Sequence, residues 1–216
     1  MLKALVLKEL RESAGLIAVA VLVAVLILAE TTGFVLLPLQ SGAGSLYPFV
    51  NDSFSRYFCL LAGGLAIMLG FKQSAWELWQ GNYFFLLHRP ASRQTIFGTK
   101  LAVGLVALLL ITGCLLQLYA LWAAMPGKHA TPFFWTMTAG AWQLWISFSV
   151  VYLGAFLSGV RPGRWFGSRL LPLAASSAIA FIAALVPWWW LGWAIALVAS
   201  AALLIVISYY VEQRDY

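Results

Sequence analysis

Charged residues are scarce in this sequence. Asp, Glu, Lys and Arg make up 9% of the 216 residues and hydrophobic residues make up 63%, whereas soluble domains have roughly 25% charged and 45–50% apolar residues. A soluble fold could not bury so much apolar surface, because even a domain near 150 residues exposes roughly 30% of its unfolded surface. With only two Cys, a disulfide scaffold is excluded as well. The composition predicts an integral membrane protein, and its long apolar stretches predict an all-α fold.

The sequence also lacks the residues of a reaction centre. Its two histidines, His88 and His129, belong to loops on opposite sides of the membrane in the topology described below, so no serine–histidine pair can form. No cluster of His, Cys and carboxylate residues has metal-ligand spacing, and there is no G-x-x-x-x-G-K-[ST] phosphate-binding loop. We therefore expect that the chain is not an enzyme, binds no cofactor and does not itself hydrolyse ATP.

Six apolar stretches are long enough to cross a bilayer, which takes about 20 residues at 1.5 Å rise per residue. They cover approximately residues 13–30, 54–72, 100–124, 133–160, 169–186 and 188–210. Only Pro187 and Trp188 separate the last two, which predicts a tight hairpin or, as the alternative, a broken element that does not span fully. No linker divides the chain, so we expect one transmembrane domain over residues 1–216.

The basic residues indicate how the chain is oriented. If the N-terminus is cytoplasmic, eleven of the 13 Lys and Arg residues face the cytoplasm and only Arg56 and Lys128 face outside, as the positive-inside rule requires. We expect both termini in the cytoplasm, and we assign the net charge of +6 to orientation and lipid contact rather than to nucleic acid. A cleaved signal peptide is the alternative for the N-terminus, but Glu9 and Glu12 are unusual ahead of one.

Residues 1–13 have the pattern of a short amphipathic helix in the cytoplasmic interface. Four apolar side chains fall on one side of a helix drawn at 100° per residue: Leu2, Val6, Leu7 and Leu10. The other side carries most of the charge: Lys8, Glu9, Arg11 and Glu12, with Leu5 and Lys3 as exceptions to this division. The alternative is a charged stub that only orients the first span.

The longest predicted cytoplasmic connection, residues 73–99, has a second amphipathic pattern. Its aromatic residues recur at helical spacing: Trp76, Trp79 and Tyr83. This helix should end at or before Arg89, because Pro90 disfavours helical geometry in the residue before it. Ser92 can then cap a new helix that continues into the third span. The alternative is a helix that rests on lipid headgroups without a protein partner.

Several residues of this connection share a recognisable spacing, E-x-x-x-G-x-x-x-x-L-L-x-x-P-x-S-R-x-x-I-x-x-x-K. They are Glu77, Gly81, Leu86, Leu87, Pro90, Ser92, Arg93, Ile96 and Lys100. The spacing resembles the loop between the second and third spans of type-2 ABC exporter permeases. The run from Lys8 to Glu12 is similar to the elbow helix ahead of that family's first span, and the family's six-span layout covers the whole chain.

The resemblance implies a subunit of a bacterial inner membrane transporter that pairs with itself or with a related permease. Two cytoplasmic ATPase subunits would bind ATP and Mg and power the export of a hydrophobic or amphipathic substrate by alternating access. The implied ATPase-coupling residues are Trp76, Glu77, Trp79, Gly81, Arg89, Pro90, Ser92, Arg93 and Lys100. The implied elbow residues are Lys3, Lys8, Glu9, Arg11 and Glu12. The alternatives are a non-transporting membrane scaffold or assembly factor and, third, an intramembrane enzyme.

Overall fold

A computed structural model of the chain describes residues 2–33, 48–49, 53–76, 93–126, 132–163 and 168–213. Within these ranges all regular secondary structure is helical. The α-helices are α1 (Leu2–Thr31), α2 (Ser53–Phe71), α3 (Arg93–Ala123), α4 (Ala139–Val160), α5 (Leu171–Leu185) and α6 (Trp189–Gln213). A π-helical turn, Lys72–Trp76, extends α2, and a 3₁₀ turn, Trp135–Thr138, precedes α4.

Five helical segments in the described part of the chain are long and apolar enough to cross a membrane. They are Leu2–Thr31, Ser53–Trp76, Gln94–Ala123, Trp135–Val160 and Trp189–Glu212. The predicted span at 169–186 forms the shorter helix α5, whose 15 residues cover about 22 Å at 1.5 Å per residue. This is less than the roughly 30 Å of a hydrocarbon core. The architecture is compatible with the predicted all-α, multi-pass membrane protein.

The first helix corrects one expectation. A short interfacial helix over residues 1–13 was expected to turn into a separate span, but α1 continues through Ser13 without a break. No Pro interrupts this stretch, and good helix formers such as Leu, Lys, Glu and Arg occupy most of its positions. Lys8 and Glu12 lie one turn apart, with Nζ 3.3 Å from Oε1, which adds local support to the helix.

Helix α4 lies at the centre of the bundle. Every residue from Ser149 to Val160 is buried, and α4 packs against α2, α3, α5, α6 and the π turn. Close approach depends on small residues. A Cβ at Gly154 would overlap the Ser176 side chain of α5 and lie 3.0 Å from the carbonyl oxygen of Pro172. Here the small residues therefore serve packing within one chain, since helices in lipid associate largely through such close contacts.

Helices α5 and α6 pack against each other as a hairpin joined by residues 186–188. A side chain from α4 completes the end of α5, because Gln143 Nε2 donates to the carbonyl oxygens of Ala183 at 2.6 Å and Val186 at 2.9 Å. The last turn of a helix leaves carbonyl groups without intrahelical partners. Gln143 satisfies two carbonyls there and so holds the hairpin link against the central helix.

Candidate functional site

The structure describes the two ends of the predicted coupling loop. Six of the nine predicted coupling residues lie outside the described ranges: Glu77, Trp79, Gly81, Arg89, Pro90 and Ser92. Before that stretch, Trp76 ends the π turn with 51% of its surface exposed. After it, Arg93 begins α3, and the helix continues into the third predicted span as expected. Lys100 follows in α3 and is 1% exposed, so it cannot itself contact a docking partner in this conformation.

Lys100 forms a buried ion pair with Glu9 of α1. Its Nζ lies 2.9 Å from Glu9 Oε1, and the two side chains are 1% and 3% exposed. Burying either charge alone would cost several kcal/mol in desolvation, so each requires the other as its partner. The pair joins the N-terminal part of α1 to the beginning of α3, helices that are far apart in the sequence.

The buried position of Glu9 corrects the predicted polar face of residues 1–13. Three residues spaced four apart face the protein: Leu5, Glu9 and Ser13. Three leucines of the predicted apolar side are exposed on the surface of the bundle: Leu2, Leu7 and Leu10. Pairing with Lys100 outweighs the local pattern, because an ammonium group in the interior requires a carboxylate there. A Lys several residues into an apolar helix was a signal that such a partner exists, but it could not indicate which one.

The same part of α1 also contacts the end of α2. Lys72 Nζ donates to the backbone carbonyl oxygen of Glu12 at 2.5 Å, which uses a second lone pair of a carbonyl group. Lys8, on the neighbouring turn, has its Nζ 4.0 Å from Glu9 Oε1 and 3.3 Å from Glu12 Oε1. Residues 8–12 of α1 therefore contact both segments that flank the undescribed stretch, Lys72 before it and Lys100 after it.

The π turn connects these contacts to the central helix. Within it Gln73 is 2% exposed and accepts a hydrogen bond at Oε1 from the hydroxyl of Tyr152, 2.6 Å away. The Tyr152 hydroxyl also lies 3.3 Å from the carbonyl oxygen of Leu101 in α3. π-Helical turns are rare and occur frequently at functional sites. This turn brings α2, α3 and α4 together one residue beyond Lys72, and neither Gln73 nor Tyr152 was among the predicted site residues.

Glycines let the helices approach this polar centre. A side chain at Gly104 of α3 would overlap Gln73 and Tyr152. A Cβ at Gly159 of α4 would likewise overlap Ser74 and lie 2.9 Å from the backbone nitrogen of Ala75. Ser74 is fully buried and donates from Oγ to the carbonyl oxygen of Gly70, 2.6 Å away. Close packing at both glycines leaves little room for independent movement of the π turn.

The elbow residues other than Glu9 are at least partly accessible on the surface of α1. Lys3 and Arg11 are exposed, and so is Glu12, whereas Lys8 is half-buried. Their side chains are available to headgroups or to a partner, unlike that of Glu9. The five elbow residues thus comprise one buried residue, one half-buried residue and three exposed residues.

The described residues of this cluster form an ion pair and hydrogen bonds between helices. No protein-family model, curated protein or solved structure matches this chain. In the described ranges, no group of three or more His, Cys, Asp or Glu residues could hold a metal ion. The buried charges of Glu9 and Lys100 neutralise each other, and the hydrogen bonds around Gln73 join three helices. Such a cluster can hold α1, α2, α3 and α4 in a fixed relation and transmit a displacement among them.

Proposed function

We propose that this chain is the transmembrane permease subunit of an ATP-driven ABC exporter. The observation that supports the proposal most strongly is how the flanks of residues 77–92 are held: Lys100 by Glu9, and Gln73 by Tyr152. A loop with both ends fixed to buried side chains passes a displacement into the helices, whereas a loosely attached loop absorbs it. The resemblance of the loop sequence to the type-2 permease motif identifies what would supply the displacement, a cytoplasmic ATPase subunit.

The proposal includes a topology with six spans and both termini in the cytoplasm of a bacterial inner membrane. Helix α5, lengthened by residues 168–170, would supply the sixth span, and a short span is accommodated by local thinning of the bilayer. The distribution of Lys and Arg supports this orientation. It puts the Glu9–Lys100 pair and the π turn near the cytoplasmic surface, where an ATPase would dock.

In the proposed mechanism, ATP hydrolysis and substrate transport take place in different subunits of the complex. ATP and Mg bind to the partner ATPase, and two permease subunits, identical or related, enclose the pathway for a hydrophobic or amphipathic substrate. Closure of the ATPase subunits around ATP would push on residues 77–92. The fixed flanks would turn that push into a rotation of α2 and α3, which alternates access between the two sides.

The test is purification in mild detergent followed by mass spectrometry of every stoichiometric partner. We expect an ATP-binding subunit in the wild-type preparation. Arg93→Glu, at the first residue of α3, should reduce recovery of that subunit or lower the ATP turnover of the complex without changing the elution profile of the chain. Arg56→Glu is the matched control, because Arg56 is exposed in α2 and is predicted to face outside.

Three results would contradict the proposal. A preparation in which no ATP-binding subunit accompanies the wild-type chain would favour the membrane scaffold, which needs no ATPase. Normal recovery of the ATPase together with normal turnover in Arg93→Glu would show that the predicted loop is not the coupling element. Equal losses in Arg56→Glu and Arg93→Glu would point to general destabilisation, and the loop assignment would fail.

A further inference from the structure

The N-terminal part of α1 is attached to the bundle mainly through polar contacts. Among residues 2–13, Leu5 is the only apolar side chain that is buried. The other contacts described above are the Glu9 carboxylate with Lys100 and the Glu12 carbonyl oxygen with Lys72. The attachment of this segment therefore depends on one buried charge pair far more than on apolar packing.

Both of these contacts are made with the flanks of the proposed coupling loop. Lys72 begins the π turn that leads into residues 77–92, and Lys100 lies in the second turn of the helix that follows them. A displacement of the loop thus reaches α1 from two sides. The segment has a separate contact with each flank, so it moves with the flanks for as long as both contacts hold.

We propose that Glu9 is a positioning residue that clamps residues 2–13 of α1 to α3, so that this segment is a third moving part of the coupling device. The source of the movement rests on the proposed function, whereas the clamp does not. While the pair is intact, the segment follows α3. When the pair is broken, the segment detaches from α3, bends away from the rest of α1 and lies along the lipid surface.

In the detached position, residues 2–13 would bind the membrane interface. Leu2, Leu7 and Leu10 are exposed on α1, and on an isolated helix they form the apolar side of an amphipathic segment. Such a helix binds in the membrane interface with its leucines toward the acyl chains and its charges toward water. The same sequence therefore suits two positions, and the Glu9–Lys100 pair selects the clamped one.

The test measures the distance between α1 and α3 directly. Spin labels are attached to Leu7→Cys and Gly98→Cys in a background with Cys59 and Cys114 replaced by Ala. Leu7 is 67% exposed, and a Cβ at Gly98 meets nothing within 4 Å, so neither label disturbs packing. The full chain is reconstituted in nanodiscs of phosphatidylethanolamine and phosphatidylglycerol and measured by pulsed electron paramagnetic resonance without nucleotide.

We expect a narrow distance distribution in the wild type. In Glu9→Gln and in Lys100→Met, the fraction of molecules with a longer distance should rise at least about tenfold, because a buried charge that loses its ion-pair partner strongly disfavours the clamped state. Lys100→Arg keeps the charge and should restore the narrow distribution. Glu212→Gln is the matched control, since Glu212 is an exposed acidic residue of α6 that accepts a hydrogen bond from Gln94 of α3.

Identical distributions in the wild type, Glu9→Gln and Lys100→Met would overturn the clamp. If Glu9→Gln and Lys100→Met do not fold, the test is made with Glu9 and Lys100 unchanged. A second label pair, Gly98→Cys with Leu171→Cys, is then measured together with the ATPase subunit and ATP. The distance from α3 to α5 should then change while the Leu7–Gly98 distance stays constant, and a nucleotide-dependent Leu7–Gly98 distance would refute the clamp. Failure to recover an ATPase subunit contradicts the proposed function alone, because the nucleotide-free measurement needs only this chain.

Discussion

Removing one member of the buried ion pair should destabilise the protein far more than removing both. At 2.9 Å the attraction between the Lys100 and Glu9 charges is about 6 kcal/mol at an effective dielectric constant of about 20. Much of this attraction is offset by the desolvation of both groups. Lys100→Met abolishes the attraction but leaves the Glu9 carboxylate buried, which costs about 3–5 kcal/mol in comparable pairs.

The neighbouring Lys8 charge places the expected cost of Lys100→Met at the lower end of the range of about 3–5 kcal/mol. Lys8 Nζ is 4.0 Å from Glu9 Oε1, but the Lys8 side chain is 30% exposed. Its attraction to the carboxylate is therefore nearer to the roughly 1 kcal/mol expected in water. We expect a loss of about 3 kcal/mol for Lys100→Met, which corresponds to a fall of roughly 6–12 °C in melting temperature for a chain of this size.

The double variant Glu9→Leu/Lys100→Met separates this effect from lost packing. Replacing a buried pair by apolar side chains is frequently neutral or stabilising by about 1–4 kcal/mol, so the double variant should melt at or above the wild-type temperature. Glu12→Gln is a control, because its side chain is 39% exposed and pairs only with Lys8 among the ion pairs described. Exposed pairs of this kind contribute at most about 1 kcal/mol.

The assay is thermal unfolding of the purified chain in detergent, followed by the monodisperse fraction on size-exclusion chromatography. Two outcomes would refute the reasoning. A melting temperature for Lys100→Met equal to that of the wild type would show that Glu9 is not confined with its charge in the interior. A double variant no more stable than Lys100→Met would show that volume, rather than charge, determines the stability at this position.

Two further substitutions test the packing around the central helix. Gly104→Ala puts a methyl group where Tyr152 already lies and should cost about 1–3 kcal/mol by overpacking, so the melting temperature should fall. Gly64→Ala is the control: nothing lies within 4 Å of its Cβ, and the melting temperature should stay unchanged or rise. Gln143→Leu removes the donor to the Ala183 carbonyl oxygen and should cost about 1–3 kcal/mol; amide hydrogen exchange should become faster in the last turn of α5, and unchanged exchange there would show that this cap contributes nothing.

One group of polar contacts in this bundle lies where the predicted loop joins it. The π turn contributes Gln73 and Ser74, both buried, and α1 contributes Glu9. Elsewhere α4 is surrounded largely by aliphatic and aromatic side chains, among them Phe58 and Leu108. Apolar surfaces in lipid gain little from contacting each other rather than acyl chains. Hydrogen bonds and buried charges therefore supply much of the specificity with which the loop flanks are held.

Helix location was largely predictable from the sequence. Apolar length alone indicated α2, α3, α4 and α6, and the short link at Pro187 indicated a hairpin between the last two helices. Two expectations about α1 were wrong. The break near Ser13 is absent, and Glu9 lies inside rather than on the polar surface. The burial of Glu9 depends on its contact with Lys100, and a local pattern carries no information about a partner 91 residues away.

The candidate site was predictable only in part. Lys100 and Glu9 were both singled out, but in separate groups with separate roles, and nothing in the sequence joined them. Gln73 and Tyr152 carried no signal of their own, because a Gln at a helix end and a Tyr in an apolar run each have ordinary explanations. Their hydrogen bond depends on the packing of the π turn against α4, which a single segment of sequence does not carry.

The amino-acid sequence by itself determined that this chain is helical and apolar, where its long helices run, and that its basic residues are unevenly distributed. These properties depend on composition and on short-range periodicity, which any single segment carries within itself. Only the tertiary structure decided that α4 is central, that Glu9 is buried, and that one stretch of α1 contacts both flanks of residues 77–92. Those features depend on which helices become neighbours, and the free energy of a buried charge pair exists only after distant segments have met.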